Sequence, residues 1–244
     1  MAFIAIVAVI SVLIGLSKGG MGAALVVLVT PLLSLVMPVP EAISTSLPLL
    51  IIGDVFALWA FWKQWDMRYV RLMLPMAIVG ILAGTYLLKT LPNETLRQLL
   101  GVFTLIFIAY RLLDYRLKAL DYHPQPWHGY LAGAASGLGS ALANTGAPPF
   151  TAYMLLQEVS PAVFVGTMTL FFAIVNVAKL PGLALAGMFN LHDLIGVLWA
   201  IPLIPLGVWF GRWLVVRLDR VAFERFMLLV LFMAAMVLLF IPPK

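Results

Sequence analysis

The chain has 244 residues, 64% of them hydrophobic and 10% charged, with a mean hydropathy of +1.08. Soluble domains carry about 25% charged residues, so this composition excludes one and indicates a polytopic α-helical membrane protein. The net charge of +5 comes from Lys and Arg at the ends of apolar runs, where they flank membrane spans, and so points to lipid rather than nucleic acid.

Hydropathy and breaker residues divide the first half into apolar segments 3–16, 22–36, 41–62, 70–88 and 95–114. The second half gives 130–143, 148–158, 161–187, 194–216 and 226–241. These runs are continuous, unlike the roughly ten-residue alternating segments of a β-barrel. Residues 1–14 lack the basic start and small-residue cleavage site of a secretory signal and are expected to remain as a helix. Three segments in each half approach the roughly 20 residues that cross a bilayer. The leading two are shorter and are expected to form a helical hairpin that turns back within the membrane. Without cysteine, disulfide and thiolate chemistry are excluded.

A repeat links the halves. Pro75, Gly80, Gly84 and Leu87 recur at the same spacings as Pro202, Gly207, Gly211 and Leu214, and at a slightly shorter offset Gly15, Thr45 and Asp54 match Gly137, Thr167 and Asn176. The expected organisation is a first repeat over 1–118, a linker over 119–128 and a second repeat over 129–244. Lys63, Arg68, Arg71, Arg111, Arg116, Lys118, Arg212, Arg217, Arg220 and Arg225 fall on one side of the membrane if each half crosses an odd number of times. That is the charge asymmetry of a cytoplasmic face, and it makes the repeats inverted. A parallel repeat follows instead if the opening hairpin is a single broken span.

The break Gly15-Leu16-Ser17-Lys18-Gly19-Gly20-Met21-Gly22, the run Ala42-Ile43-Ser44-Thr45-Ser46-Leu47 after Pro40, and the Pro75/Gly80/Gly84 helix with its echo resemble the TauE/SafE sulfite-exporter family. The resemblance covers nearly the whole chain, and the duplicated order of its short motifs carries it. It implies movement of small sulfur-containing anions such as sulfite, sulfonates or thiosulfate, a bacterial inner-membrane location, and no cofactor. The glycine-rich break departs from the commoner triplet.

Residues broken out of helix at membrane depth are tolerated only where protein or a water-filled cavity satisfies their backbone. The break at 15–22 and its counterpart Ala143-Asn144-Thr145-Gly146-Ala147-Pro148-Pro149 are therefore expected to be tips of broken helices around one site. A helix that starts there offers free N–H groups and a positive dipole to an anion. Gly19, Gly20 and Gly22 would allow close approach in the first hairpin, or merely close packing. In the second, Asn144 or Thr145 is the expected helix N-cap, ahead of Gly146 and Pro148. Lys18 and Lys179 lie inside apolar segments, where an ionisable group has a functional role by default. Lys18 either neutralises substrate or snorkels to an interface. Asp54 falls about 21 Å beyond Pro40 on a helix, within a hydrocarbon core of about 30 Å, and its repeat partner Asn176 cannot titrate. It reads as the proton-coupling group or as one half of a buried Asp54–Lys179 pair. Ser44, Thr45, Ser46, Thr167 and Thr169 either donate to an oxoanion or bond their own backbone.

The three histidines, His123, His128 and His192, fall in connecting loops, and no metal or nucleophile motif is present, which argues against an enzyme or a metal site. The expected function is a secondary anion transporter working by alternating access, exporting and coupled to protons or to the membrane potential, with a passive anion channel or a transporter of another small organic anion as alternatives and a homodimer possible through the small-residue helices.

Overall fold

The computed structural model describes residues 2–21, 23–117, 125–157, 159–188 and 191–215, with 228–229, 232–233 and 235–240. Among them the regular structure is all helix, joined by turns and short connections, with no strand. In order come α1 (Ala2–Leu16), a π-helical turn (Ser17–Met21), a 3-10 helix (Ala23–Leu28), α2 (Val29–Leu33), α3 (Val39–Ala60), α4 (Met67–Thr90) and α5 (Asn93–Leu117). Then follow α6 (Pro126–Ala143), α7 (Ala147–Leu155), α8 (Pro161–Leu185), α9 (Leu191–Leu198) and α10 (Leu203–Val215). The linker expected over 119–128 falls largely outside the described residues, and the segment expected over 226–241 is described only in pieces.

Local chemistry sets the helix limits. Helix α3 follows Pro38, has proline in its first turn and carries Glu41 there, where a missing N–H costs little and a carboxylate complements the dipole. Asp66 caps α4 by accepting from the Arg68 N–H at 2.9 Å. Ser160 accepts from the Val163 N–H at the start of α8, with Pro161 next. Helices α3, α4 and α8 are long and apolar enough to cross a membrane, and residues such as Trp59, 81% exposed, and Leu185, 86% exposed, project outward as lipid-facing side chains would. Helix α5 has 25 residues but carries more charge.

The first apolar segment ends where expected: α1 runs to Leu16 and gives way to the π turn at Ser17–Met21. One expectation for segment limits needs correction. The segment expected as one span over 194–216 is two helices, α9 and α10, separated by turns over 199–202. Pro202 has no N–H to continue the ladder, and the chain tightens there through Leu203 N–H to Ala200 O and Ile204 N–H to Ile201 O. Its echo Pro75 lies inside α4, so one motif position has two outcomes.

The two halves exchange packing partners. Helix α1 lies on α10, where a Cβ on Gly15 would come within 2.3 Å of the Ile204 carbonyl, and α6 lies on α4, where one on Gly137 would come within 2.0 Å of the Ala77 carbonyl. Glycine alone permits backbones this close. Each hairpin also has its own apolar core. Val7, Ile10, Val29 and Leu49 pack with Val197 and Ile204, while Met73 and Ala77 pack with Phe150, Met154, Phe171 and Val175. Helix α3 contributes Leu49 to the first core and α8 contributes Phe171 and Val175 to the second.

Candidate functional site

Asp54 is 1% exposed on α3. Its Oδ1 pairs with the Lys18 ammonium from the π turn, and its Oδ2 accepts from Asn176 Nδ2 of α8 at 2.6 Å. Gly53 makes the reach possible, because a Cβ there would come within 2.9 Å of Ile14 Cγ2 and 3.6 Å of Lys18 Cγ. The Asp54–Lys179 pair left open by the sequence does not form. Lys179, also 1% exposed, instead donates to Asn144 Oδ1 at 2.7 Å and to the Ser140 carbonyl at 3.2 Å.

Asn144 joins the halves. It is the C-cap of α6 in the left-handed conformation, φ 54° and ψ 25°, which asparagine tolerates better than most residues. Its Nδ2 donates to Thr30 Oγ1 at 2.9 Å and Ser46 Oγ at 3.1 Å. One side chain thus ties the second hairpin to α2, α3 and α8. The N-cap expectation is thereby corrected: Gly146, not Asn144 or Thr145, precedes α7, and no side chain caps that helix. Pro148 and Pro149 also remove N–H donors from its first turn, so side chains rather than backbone N–H groups supply most of the positive character here.

Lys18, Asn144 and Asn176 border a cavity of about 110 Å³ that Ser17, Ser140 and Thr169 also line, with apolar walls from Val26, Leu50, Phe61, Met168 and Phe172. Other expected site residues lie elsewhere. Gly19 packs against α10, its Cβ position 2.5 Å from the Val208 carbonyl. Gly20 belongs to the π turn, and Gly22 lies outside the described residues. Ser44 donates to the Glu41 carbonyl and Ser46 to that of Ile43, the backbone-bonding alternative. Thr45 Oγ1 is buried with no partner among the described residues. Thr167 Oγ1 accepts from the Asp66 N–H at 2.9 Å, which anchors the loop before α4. Thr145 donates to the Gly139 carbonyl and borders a second, apolar cavity of about 260 Å³ with Phe103, Leu138 and Pro148. Gly146 allows the hairpin to close, since a Cβ there would meet the Ser136 carbonyl at 2.3 Å.

Sequence reasoning missed Ser17, Thr30 and Ser140. The match of Gly15 to Gly137 already implies Lys18 against Ser140, a signal that could have found it. Thr30 has none, because its role depends on where the other hairpin's tip lands.

The family model described as sulfite exporter TauE/SafE matches residues 7–238 of this chain. No curated protein and no solved structure matches it.

Proposed function

The chain belongs to the sulfite exporter TauE/SafE family, a family of membrane transporters, and from that premise we propose that it is a secondary transporter of a small sulfur-containing anion, with Lys18, Asn144, Asn176 and Lys179 around the substrate. One observation carries the reading: the half-buried Lys18 ammonium paired with buried Asp54, and the buried Lys179 ammonium held by Asn144, flank a cavity that Lys18, Asn144 and Asn176 line. An uncompensated positive charge is costly at membrane depth and attracts a counter-anion.

Alternating access by inverted halves draws support from the packing. Asp54 and Asn176 occupy matching positions in the two halves and touch each other, as equivalent residues do beside a twofold axis. The exchanged α1–α10 and α4–α6 contacts obey the same symmetry. Rocking one half against the other would then work across the Lys18–Asp54–Asn176 and Asn144–Thr30 contacts. Asp54 is the proton-coupling group, since its protonation releases Lys18 to the substrate. The location is the bacterial inner membrane, the direction export, and the protein performs no catalysis.

The test is uptake of labelled sulfite, thiosulfate and a two-carbon sulfonate into proteoliposomes, with and without a proton gradient. Saturable, gradient-dependent flux in the native protein that loses its gradient dependence in Asp54→Asn supports the proposal. No flux of any of the three anions overturns the substrate assignment.

A further inference from the structure

The charges around the cavity can be counted. Near Asp54 are Lys18 from the π turn, paired with its carboxylate, and Lys179 of α8, one helical turn beyond the Asn176 that bonds the same carboxylate. Among the described residues the other contacts are neutral: Asn176 and the Lys18 stem against Gly53, with Ile14 and Ile204 as apolar neighbours. The Lys179 partners, Ser140 and Asn144, are neutral as well, and Thr30 and Ser46 beyond them are hydroxyls. With all three groups ionised the buried cluster carries one surplus positive charge.

Lys179 and Asp54 are buried while Lys18 keeps partial exposure at the cavity, so the surplus charge calls for a counter-anion there. A monoanion in the cavity cancels the surplus. A dianion would leave one negative charge, which a proton on Asp54 removes while it releases the whole Lys18 ammonium to the ligand. Resting on the anion-transporter reading above, we infer that the site takes a monoanion alone but a dianion only together with one proton bound at Asp54. Substrate valence then sets the proton stoichiometry, and the proton comes from solvent and leaves with the dianion.

The experiment is calorimetric titration of the purified full-length protein in buffers of different ionisation enthalpy, which counts protons taken up on binding. Methanesulfonate, a fixed monoanion, and thiosulfate, a fixed dianion, are the probes. Expected counts are about zero for methanesulfonate and about one for thiosulfate, whose affinity falls about tenfold per pH unit wherever its binding takes up one full proton. In Asp54→Asn thiosulfate binds with no proton and no pH dependence. In Lys179→Gln, which removes the surplus, methanesulfonate itself takes up about one proton. Thiosulfate binding without proton uptake, or methanesulfonate binding with it, overturns the charge balance while leaving an anion site intact. Failure of the native protein to bind either anion overturns the anion-site reading and this inference together.

Discussion

Gly137→Ala is the sharpest perturbation of the scaffold that holds the site. A Cβ there would sit 2.0 Å from the Ala77 carbonyl oxygen and 2.7 Å from its carbon. An ordinary carbon–oxygen contact is about 3.3 Å, so α6 would have to withdraw from α4 by about 1.3 Å. The obstacle is backbone, and no rotamer change relieves it. Overpacking of this kind costs about 1–3 kcal/mol, and the rigid contact puts this case at the upper end. Helix α6 ends in Ser140 and Asn144, so the same displacement stretches the Lys179 bonds of 3.2 and 2.7 Å beyond hydrogen-bond reach. Gly196→Ala is the control, because none of the described residues lies within 4 Å of its Cβ position on α9; it should be neutral or stabilising by up to about 1 kcal/mol from helix propensity. Thermal unfolding in detergent and anion flux in proteoliposomes read both effects. A Gly137→Ala protein with native melting temperature and native flux would refute the close α4–α6 packing and its coupling to the site.

Asp54→Leu leaves Lys18 without its partner and should destabilise by about 3–5 kcal/mol; the Lys18→Met/Asp54→Leu double variant should recover much of that in a thermal-melt cycle, and purely additive losses would contradict the pair. Asn144→Gly keeps the left-handed backbone while losing the bonds to Thr30, Ser46 and Lys179, so it should remain folded by circular dichroism and lose most flux, whereas full flux would dismiss Asn144 as the link between halves. Asp66→Ala should cost about 1 kcal/mol as a lost helix cap, measurable as a lower melting temperature. The Arg68 guanidinium bonded to Asp66 holds that carboxyl below its ordinary range. The stabilisation therefore exists above the ordinary carboxylate pKa and fades as pH falls through the lowered one; high salt should weaken it, because Arg68 is 84% exposed. A melting temperature of Asp66→Ala equal to the native one at both neutral and acidic pH would contradict the cap.

Much of the helix order was legible because a membrane leaves few alternatives: Pro161 and Ser160 announce α8, and the proline-bounded run after Pro38 announces α3. The repeat placed Asp54 against Asn176, and the structure joins them directly. Composition could not say which proline breaks a helix. Pro75 and Pro202 occupy the same motif position, and the difference lies in neighbours, with Ile204 and Gly207 pressed onto Gly15 in one case. Nor could spacing assign hydroxyl partners. Ser46, Thr30 and Thr167 all carry the same chemistry, yet the first two receive Asn144 and the third receives the Asp66 backbone, a sorting that only tertiary contact decides. The pairing of Lys18 rather than Lys179 with Asp54 has the same origin, since the π turn carries Lys18 across Gly53.

The central claim, that an anion occupies the cavity between Lys18, Asn144 and Asn176, is tested most directly by crystals soaked in selenate and measured at the selenium absorption edge. An anomalous peak within hydrogen-bond distance of the Lys18 ammonium, lost in Lys18→Gln, is the predicted result. A peak confined to the exposed Lys and Arg side chains, with the central cavity empty at selenate concentrations that saturate them, would contradict the account.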